Sequence, residues 1–247
     1  MPIRYLLIFV WESNAMDMME LFSTYKLELS SDRAELFEKY YKLLVLHNAT
    51  TNLTAVTDHD EVIIKHFLDS SMILGVPGLK EDMRVIDVGS GAGFPGMVLA
   101  VLRPGWEIVL LDSQIKRVRF LETVASELGL SNVRVIHMRA EEAGREKDLR
   151  LSFDLVVSRA VAALNLLLEL CVPFAKDGGV FAAYKGPGLQ NELSEAKHAM
   201  EELGCEKYHS YEFDVEGMKR SIVCFSREGE LSDRYPRRPG IPAKRPL

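Results

Sequence analysis

Paired cysteines, clustered metal ligands and membrane-length apolar runs are all missing from this chain. Cys171, Cys205 and Cys224 stand far apart. That spacing gives no zinc motif and no disulfide framework, and it points to a reducing compartment. The six histidines are dispersed without a ligand pair, so no metal is expected. The apolar stretch from Tyr5 to Trp11 is only seven residues long, too short to cross a bilayer. It has no convincing cleavage site, and acidic residues follow it closely, which argues against a secretory signal. A cytoplasmic protein without membrane contact is expected, and Met16, Met18 and Met19 offer alternative starts to Met1. An overall positive charge is missing too: the net charge is −6, which excludes a wholly basic nucleic-acid binder. Internal repeats and low-complexity segments are absent. The 247 residues, 47% hydrophobic and 27% charged, suit one large globular domain with an appendage. Composition leaves the oligomeric state open, with a monomer as the default.

What is present centres on Arg84 to Gly96. A short apolar run (Val85, Ile86, Val88) meets glycines at 89, 91, 93 and 96, and an amphipathic run follows. This is a strand feeding a tight turn into a helix, where glycine lets a ligand approach bare backbone. Pro95 suits the first helical turn. Read from Gly91, the residues satisfy the dinucleotide fingerprint, a weak signal by itself. Read from Asp87, they satisfy Asp-x-Gly-x-Gly-x-Gly, the nucleoside loop of S-adenosylmethionine methyltransferases. Asp87 favours the methyl donor, because an ammonium and a sulfonium tolerate a nearby acid that a pyrophosphate would not. The next strand ends in Asp112, a ribose acceptor in either class. A structural turn without ligand remains the plain alternative.

From residue 84 onward strands and helices alternate, the pattern of a doubly wound α/β sheet. Strands are predicted at 84–88, 107–112, 133–138, 153–158, 179–184, 206–213 and 220–226. Helices are predicted near 95–102, 114–129, 140–147, 160–176 and 189–203. Glu216-Gly217 marks a hairpin, so the last strand should run antiparallel, which suits a seven-stranded Rossmann-like methyltransferase sheet of class I. Ahead of the sheet, a helix opening at Ser31-Asp32 with an Asp32/Glu35 capping box carries Leu36, Phe37, Tyr40, Leu43, Leu44 and His47 on one face. A second helix, from about 58 to 74, carries Val62, Ile63, His66, Phe67 and Ser70. The predicted organisation is an unassigned extension (1–29), a helical segment (30–80), a methyltransferase domain (81–226) and a basic, proline-rich tail (227–247).

That tail stands out against an acidic body. Residues 234–247 carry five of the 30 Lys and Arg, no acid, and four of the ten prolines. Arg237, Arg238, Lys244 and Arg245 could grip phosphates, or the segment could be a solvated terminus.

Several blocks together resemble the RsmG (GidB) family of bacterial 16S ribosomal RNA guanine-N7 methyltransferases. They are Asn52-Leu-Thr-Ala55, His66-Phe-Leu-Asp-Ser70, the glycine loop with its Gly-Phe-Pro-Gly ending, and Leu111 to Arg117. Further on come Phe120-Leu121, Arg139-Ala-Glu141, Ser158-Arg-Ala160, Lys185-Gly186 and the terminal Pro236–Leu247. The likeness spans about residues 30 to 247. It implies methyl transfer from S-adenosylmethionine to N7 of a guanosine in a conserved hairpin loop close to the decoding centre, with 16S ribosomal RNA or the small ribosomal subunit as partner. It also implies cofactor contacts at Gly89 and Phe94, at Ala140 and Glu141, and at Arg159. Gly91, Gly93 and Asp112 join that set from the loop chemistry.

Guanine N7 carries an exposed lone pair, so its attack on a methyl group needs no general base. The chain shows no convincing nucleophile or catalytic dyad, in keeping with catalysis by positioning. Arg159 and Lys185 are the positioning candidates, and Lys185, after the fifth strand, could also hold RNA phosphate. Each has a plain alternative: a solvated charge for Lys185, a helix N-terminal acid for Glu141, a core residue for Phe94 or His66. Asn52, His66 and Asp69 carry no assignable role. An aromatic that stacks on a flipped-out base is expected but cannot be named. The rival functions are a small-molecule methyltransferase, a non-catalytic S-adenosylmethionine-binding regulator, and a nicotinamide dehydrogenase.

Overall fold

The apolar runs from residue 84 onward become the strands of one sheet. A computed structural model describes residues 17–159 and 162–247. The apolar run near the N-terminus, Met16, and Ala160 of the Ser-Arg-Ala block lie outside the described residues. Strands β1 (Arg84–Val88), β2 (Glu107–Asp112), β3 (Val133–His137), β4 (Phe153–Arg159), β5 (Ala175–Lys185), β6 (Tyr208–Val215) and β7 (Met218–Ser226) form a seven-stranded sheet. Its order is β3-β2-β1-β4-β5-β7-β6. Strand β7 alone runs against its neighbours, as expected from the hairpin at Glu216 (φ 49°) and Gly217 (φ 78°), whose paired positive φ values give a tight two-residue turn.

Because successive strand residues face opposite sides, Val85, Leu110 and Leu155 enter one apolar layer and Ile86, Val109 and Val156 the other. The first layer is covered by α1 (Met18–Thr24), α2 (Ser31–Thr51), α3 (His59–Val62), α4 (Asp69–Ser71), α5 (Gly96–Leu102) and α6 (Ile115–Glu127). A short α7 (Ala140–Ala143) follows β3, and α8 (Leu164–Cys171), α9 (Leu189–Glu195) and α10 (Lys197–Glu202) cover the second layer. The chain closes on α11 (Ile241–Lys244). Among the described residues, no helix is long and apolar enough to cross a membrane, and no group of three or more His, Cys, Asp or Glu could hold a metal ion.

Four departures from the sequence reading have local causes. The helical layer starts before residue 30: Asp17 accepts from the backbone of Met19 and Glu20 and caps α1, whose Phe22 ring lies 6.0 Å from that of Phe37. Helix α2 is capped by Ser30, which accepts from Arg33 N, and not by an Asp32/Glu35 box. The predicted helix 160–176 stops at Cys171, where Pro173 allows only a 3-10 turn before β5; proline lacks the donor a continuing helix needs. The second N-terminal helix is interrupted by a π-helical turn at Ile63–Leu68, a feature that concentrates at functional sites.

The basic tail is not a solvated terminus. Tyr235 is 2% exposed, its hydroxyl 2.6 Å from Glu202. Arg150 donates to Tyr235 O (2.6 Å) and Arg145 to Pro236 O (2.6 Å). A side chain on Gly144 would press against Pro236, so the tail lies flush on the second layer.

Candidate functional site

The C-terminal ends of β1, β2, β3 and β4 open into one cavity of about 500 Å³, the size of a small-molecule site at the place where open α/β sheets bind ligands. Gly89, Gly91, Phe94, Asp112, Ala140, Glu141 and Arg159, spread over 70 residues of sequence, all line it. Apolar contact comes from Val88, Leu111, Met138, Leu167 and Leu170.

Of the three expected ligand glycines of the central loop, Gly89 lines the cavity, and Gly91 and Gly93 divide into different roles. Gly91 (φ +60°) lines the cavity, and a Cβ there would meet nothing nearer than Gly89 O at 3.8 Å. Gly93 (φ +96°) does not line the cavity: a Cβ there would strike the Tyr40 hydroxyl and come within 2.9 Å of Met97. Gly93 is therefore a packing glycine that lets α2 close on the loop, where Tyr40 donates to Ala92 O.

Asp112, 3% exposed, anchors the loop as well as facing the cavity. Its Oδ2 accepts from Gly91 N (2.9 Å) and its Oδ1 from Gln114 N (2.8 Å). Each oxygen keeps a second lone pair for a hydroxyl of the ligand. Asp87 behaves differently from the expectation. It lies beneath the loop and outside the lining, with Oδ2 accepting from Gly96 N (2.9 Å), so it shapes the turn instead of facing the ligand's charges. Its Oδ1 has no partner among the described residues, and burial pushes its carboxyl up to about 7.

Arg159 is held from three sides. It donates to Asp69 Oδ2 (2.7 Å) and to Lys65 O (3.1 Å) in the π-helical turn, and lies 3.3 Å from His66 Nδ1. Its guanidinium also sits 5.1 Å from the centre of the Phe94 ring. Asp69, 5% exposed, takes a second cation on its other oxygen, Arg220 Nε at 3.0 Å. Asp69 thus has a role that sequence could not supply: one buried carboxylate neutralises two arginines. Asn52, also left unassigned, ends α2 in the left-handed conformation (φ 51°).

Two residues expected to meet RNA are ion-paired within the protein. Lys185 lies outside the cavity, with its ammonium 2.6 Å from Glu192 and 2.8 Å from Ala162 O and its side chain 8% exposed. Its charge is directed at Glu192 within the fold. Arg237 grips the fully buried Glu169 through both its Nε and Nη2, so it pins the tail. Arg238, Lys244 and Arg245 are exposed. Glu141, besides lining the cavity, accepts from Gly240 N (3.1 Å) and ties the tail to its rim.

Sequence reasoning missed one wall of the cavity, formed by Leu53, Thr54 and His66 of the helical segment, and the rim cations Arg117 and Arg139. The Asn-Leu-Thr and His-Phe-Leu-Asp blocks were the available signal. Burial, and then the neighbouring Arg159, push the His66 imidazole down to about 4, so it is neutral at pH 7.

The comparisons with known proteins agree with this geometry. A family model described as "GidB: rRNA small subunit methyltransferase G" matches residues 33–223. The chain is similar to the ribosomal RNA small subunit methyltransferase G of Carboxydothermus hydrogenoformans, 46% identical over 92% of this chain and 97% of that protein. The protein of the same name from Moorella thermoacetica is 42% identical over 89% and 92%. Among solved structures, a SAM-dependent methyltransferase from Aquifex aeolicus (TM-score 0.51, 21% identity) spans 68% of this chain and 94% of its own. A SAM-dependent O-methyltransferase from Thermotoga maritima (TM-score 0.50, 19% identity) spans 77% and 73%. At these identities the two structures establish a shared fold. A family model covering most of the chain, with relatives above 40% identity over nearly their full length, decides the rest: the chain belongs to the GidB family of rRNA small subunit methyltransferases G.

Proposed function

We propose that this protein transfers the methyl group of S-adenosylmethionine to N7 of a guanosine in small-subunit ribosomal RNA. The observation that carries the proposal is the convergence, in one cavity, of bare backbone at Gly89 and Gly91, the Asp112 carboxylate and the Arg159 guanidinium. The residues fit the cofactor: Asp112 has lone pairs for a ribose, Met138, Leu167 and Leu170 suit an adenine face, and Gly91 leaves room beside them. Bound there, S-adenosylmethionine supplies an activated methyl group.

The lining residues favour a nucleophile that brings its own lone pair. Both Asp112 oxygens accept backbone N–H groups, Glu141 accepts from Gly240, and His66 is too weak a base to take a proton. Guanine N7 meets that requirement without deprotonation. The enzyme's contribution is then alignment, which can be worth about 7–11 kcal/mol when the geometry is good. Arg159, immobilised by Asp69 and the Lys65 carbonyl, is the positioning group, and Ala140 and Glu141 complete the cofactor's seat.

The test is mass mapping of ribosomal RNA from a strain lacking the gene, before and after incubation with purified protein and S-adenosylmethionine. Free RNA and isolated small subunits should be run side by side. One added methyl on a single guanosine is expected. Methylation of a metabolite with no mark on RNA, or cofactor binding without turnover, would overturn the proposal.

The exposed tail cations Arg238, Lys244 and Arg245 are proposed to hold RNA phosphates. Reversing all three to glutamate should weaken RNA binding and flatten the log–log salt dependence by about 2, from about 0.7 per single-strand phosphate contact, with cofactor affinity preserved. Arg237→Glu should instead lower the melting temperature, since it sets a carboxylate against buried Glu169. An unchanged salt slope in the triple variant would remove the tail from the RNA interface.

A further inference from the structure

The wall made by Leu53, Thr54 and His66 belongs to none of the sheet-end elements that seat the cofactor. It is built with care. Asn48 Oδ1 accepts from Leu53 N (2.7 Å) and Thr54 N (2.9 Å), and its amide donates to Thr54 O (2.9 Å). The loop is therefore held by one side chain, and Thr54 is delivered to His66, with Oγ1 2.8 Å from Nε2. Arg159 holds the opposite edge of the imidazole at Nδ1.

Three rings stand in a column behind that wall. Tyr40 lies on Phe94 with centroids 5.5 Å apart and planes at 27°, and Phe94 lies on His66 at 4.5 Å and 25°. Tyr40 and Phe94 are buried and His66 is half-buried, and both Phe94 and His66 border the cavity. Phe94 is the ring partner of His66 among the described residues. A planar ring in the cavity would lie against the wall that His66 forms.

We propose that His66 is the platform on which the target purine of the RNA stacks, with the Thr54 and Arg159 contacts fixing its plane. This rests on the functional reading given above. Single-stranded RNA bases are commonly read by stacking on aromatic side chains, histidine included. An uncharged imidazole offers its π face without setting another cation beside the sulfonium or the N7 lone pair. The helical segment ahead of the sheet thereby contributes the substrate half of the cavity, and the sheet contributes the cofactor half.

The test compares wild type, His66→Ala and His66→Phe on ribosomal RNA from a strain lacking the gene, with S-adenosylmethionine affinity measured by calorimetry. In His66→Ala, kcat/KM for RNA should fall about 10- to 100-fold, the range a lost base–aromatic stack gives, while cofactor affinity stays within about twofold of wild type, taken here as no change. His66→Phe, which keeps a ring face, should recover most of the loss. An RNA hairpin carrying 2-aminopurine at the methylated position should be more fluorescent when bound to His66→Ala than to either ring-bearing form. Loss of cofactor affinity in His66→Ala would make the residue a cofactor wall and overturn the inference. So would a Phe variant as impaired as the Ala variant, or equal fluorescence in all three. If the wild type marks no RNA, the functional reading fails and this inference with it; full wild-type activity with unaffected variants defeats the inference alone.

Discussion

Aspartate in place of Gly91 should abolish S-adenosylmethionine binding in a chain that still folds, whereas alanine in place of Gly93, two residues on, should damage the fold itself. At Gly91 the backbone lies at φ +60°, a conformation aspartate visits at modest cost. A Cβ there meets nothing nearer than Gly89 O at 3.8 Å, so the new side chain takes up space in the cavity. It also brings a carboxylate close to Asp112, which accepts the Gly91 N–H. Crowding and an unpaired charge together should lower affinity by about 100-fold or more. At Gly93 the added methyl would press on Tyr40, Met97 and Leu121 at a φ of +96°. Overpacking costs about 1–3 kcal/mol, and the backbone strain adds a similar amount. Calorimetric titration for Gly91→Asp and urea unfolding for Gly93→Ala separate the two. Wild-type cofactor affinity in Gly91→Asp would refute the placement of the ligand against the loop.

The second large effect is expected at Asp69. Truncation to alanine strands Arg159, whose side chain is 12% exposed, and frees Arg220, at 31%. Removing one partner of a buried ion pair typically costs about 3–5 kcal/mol, and the Arg159 end of this one is buried on both sides. Methyl transfer should fall further than stability alone explains, because Arg159 would lose the contact that aims it. Arg220→Ala leaves the Asp69–Arg159 pair intact and should cost much less in both respects. Urea denaturation and initial rates at saturating cofactor measure the order. Should Asp69→Ala unfold at the wild-type urea concentration, the buried carboxylate is not the hub described above.

The helical layer shows how local signals and tertiary contacts divide the work. The faces of α2 and of the helix around His66 were legible from residue spacing, since burial follows the 3.6-residue period. The ring column was not, because Tyr40, His66 and Phe94 come from three separate segments. Likewise the cavity glycine and the packing glycine look alike in sequence, and only the positions of Tyr40 and Met97 tell Gly91 from Gly93. His66 read first as a core residue, until its neutral, half-buried ring was seen at a cavity wall.

Strand positions, the late reversal and the glycine turn followed from the sequence alone, since apolar periodicity and turn chemistry are properties of a few adjacent residues. The fate of each charge did not. Lys185 and Arg237 read as free cations in a phosphate-binding setting, yet they are spoken for by Glu192 and by Glu169, the latter 68 residues away along the chain. Whether a charge is available depends on what the fold sets beside it. That pairing between distant segments turned a basic tail into a docked strap and left Arg234, Arg238, Lys244 and Arg245 facing solvent.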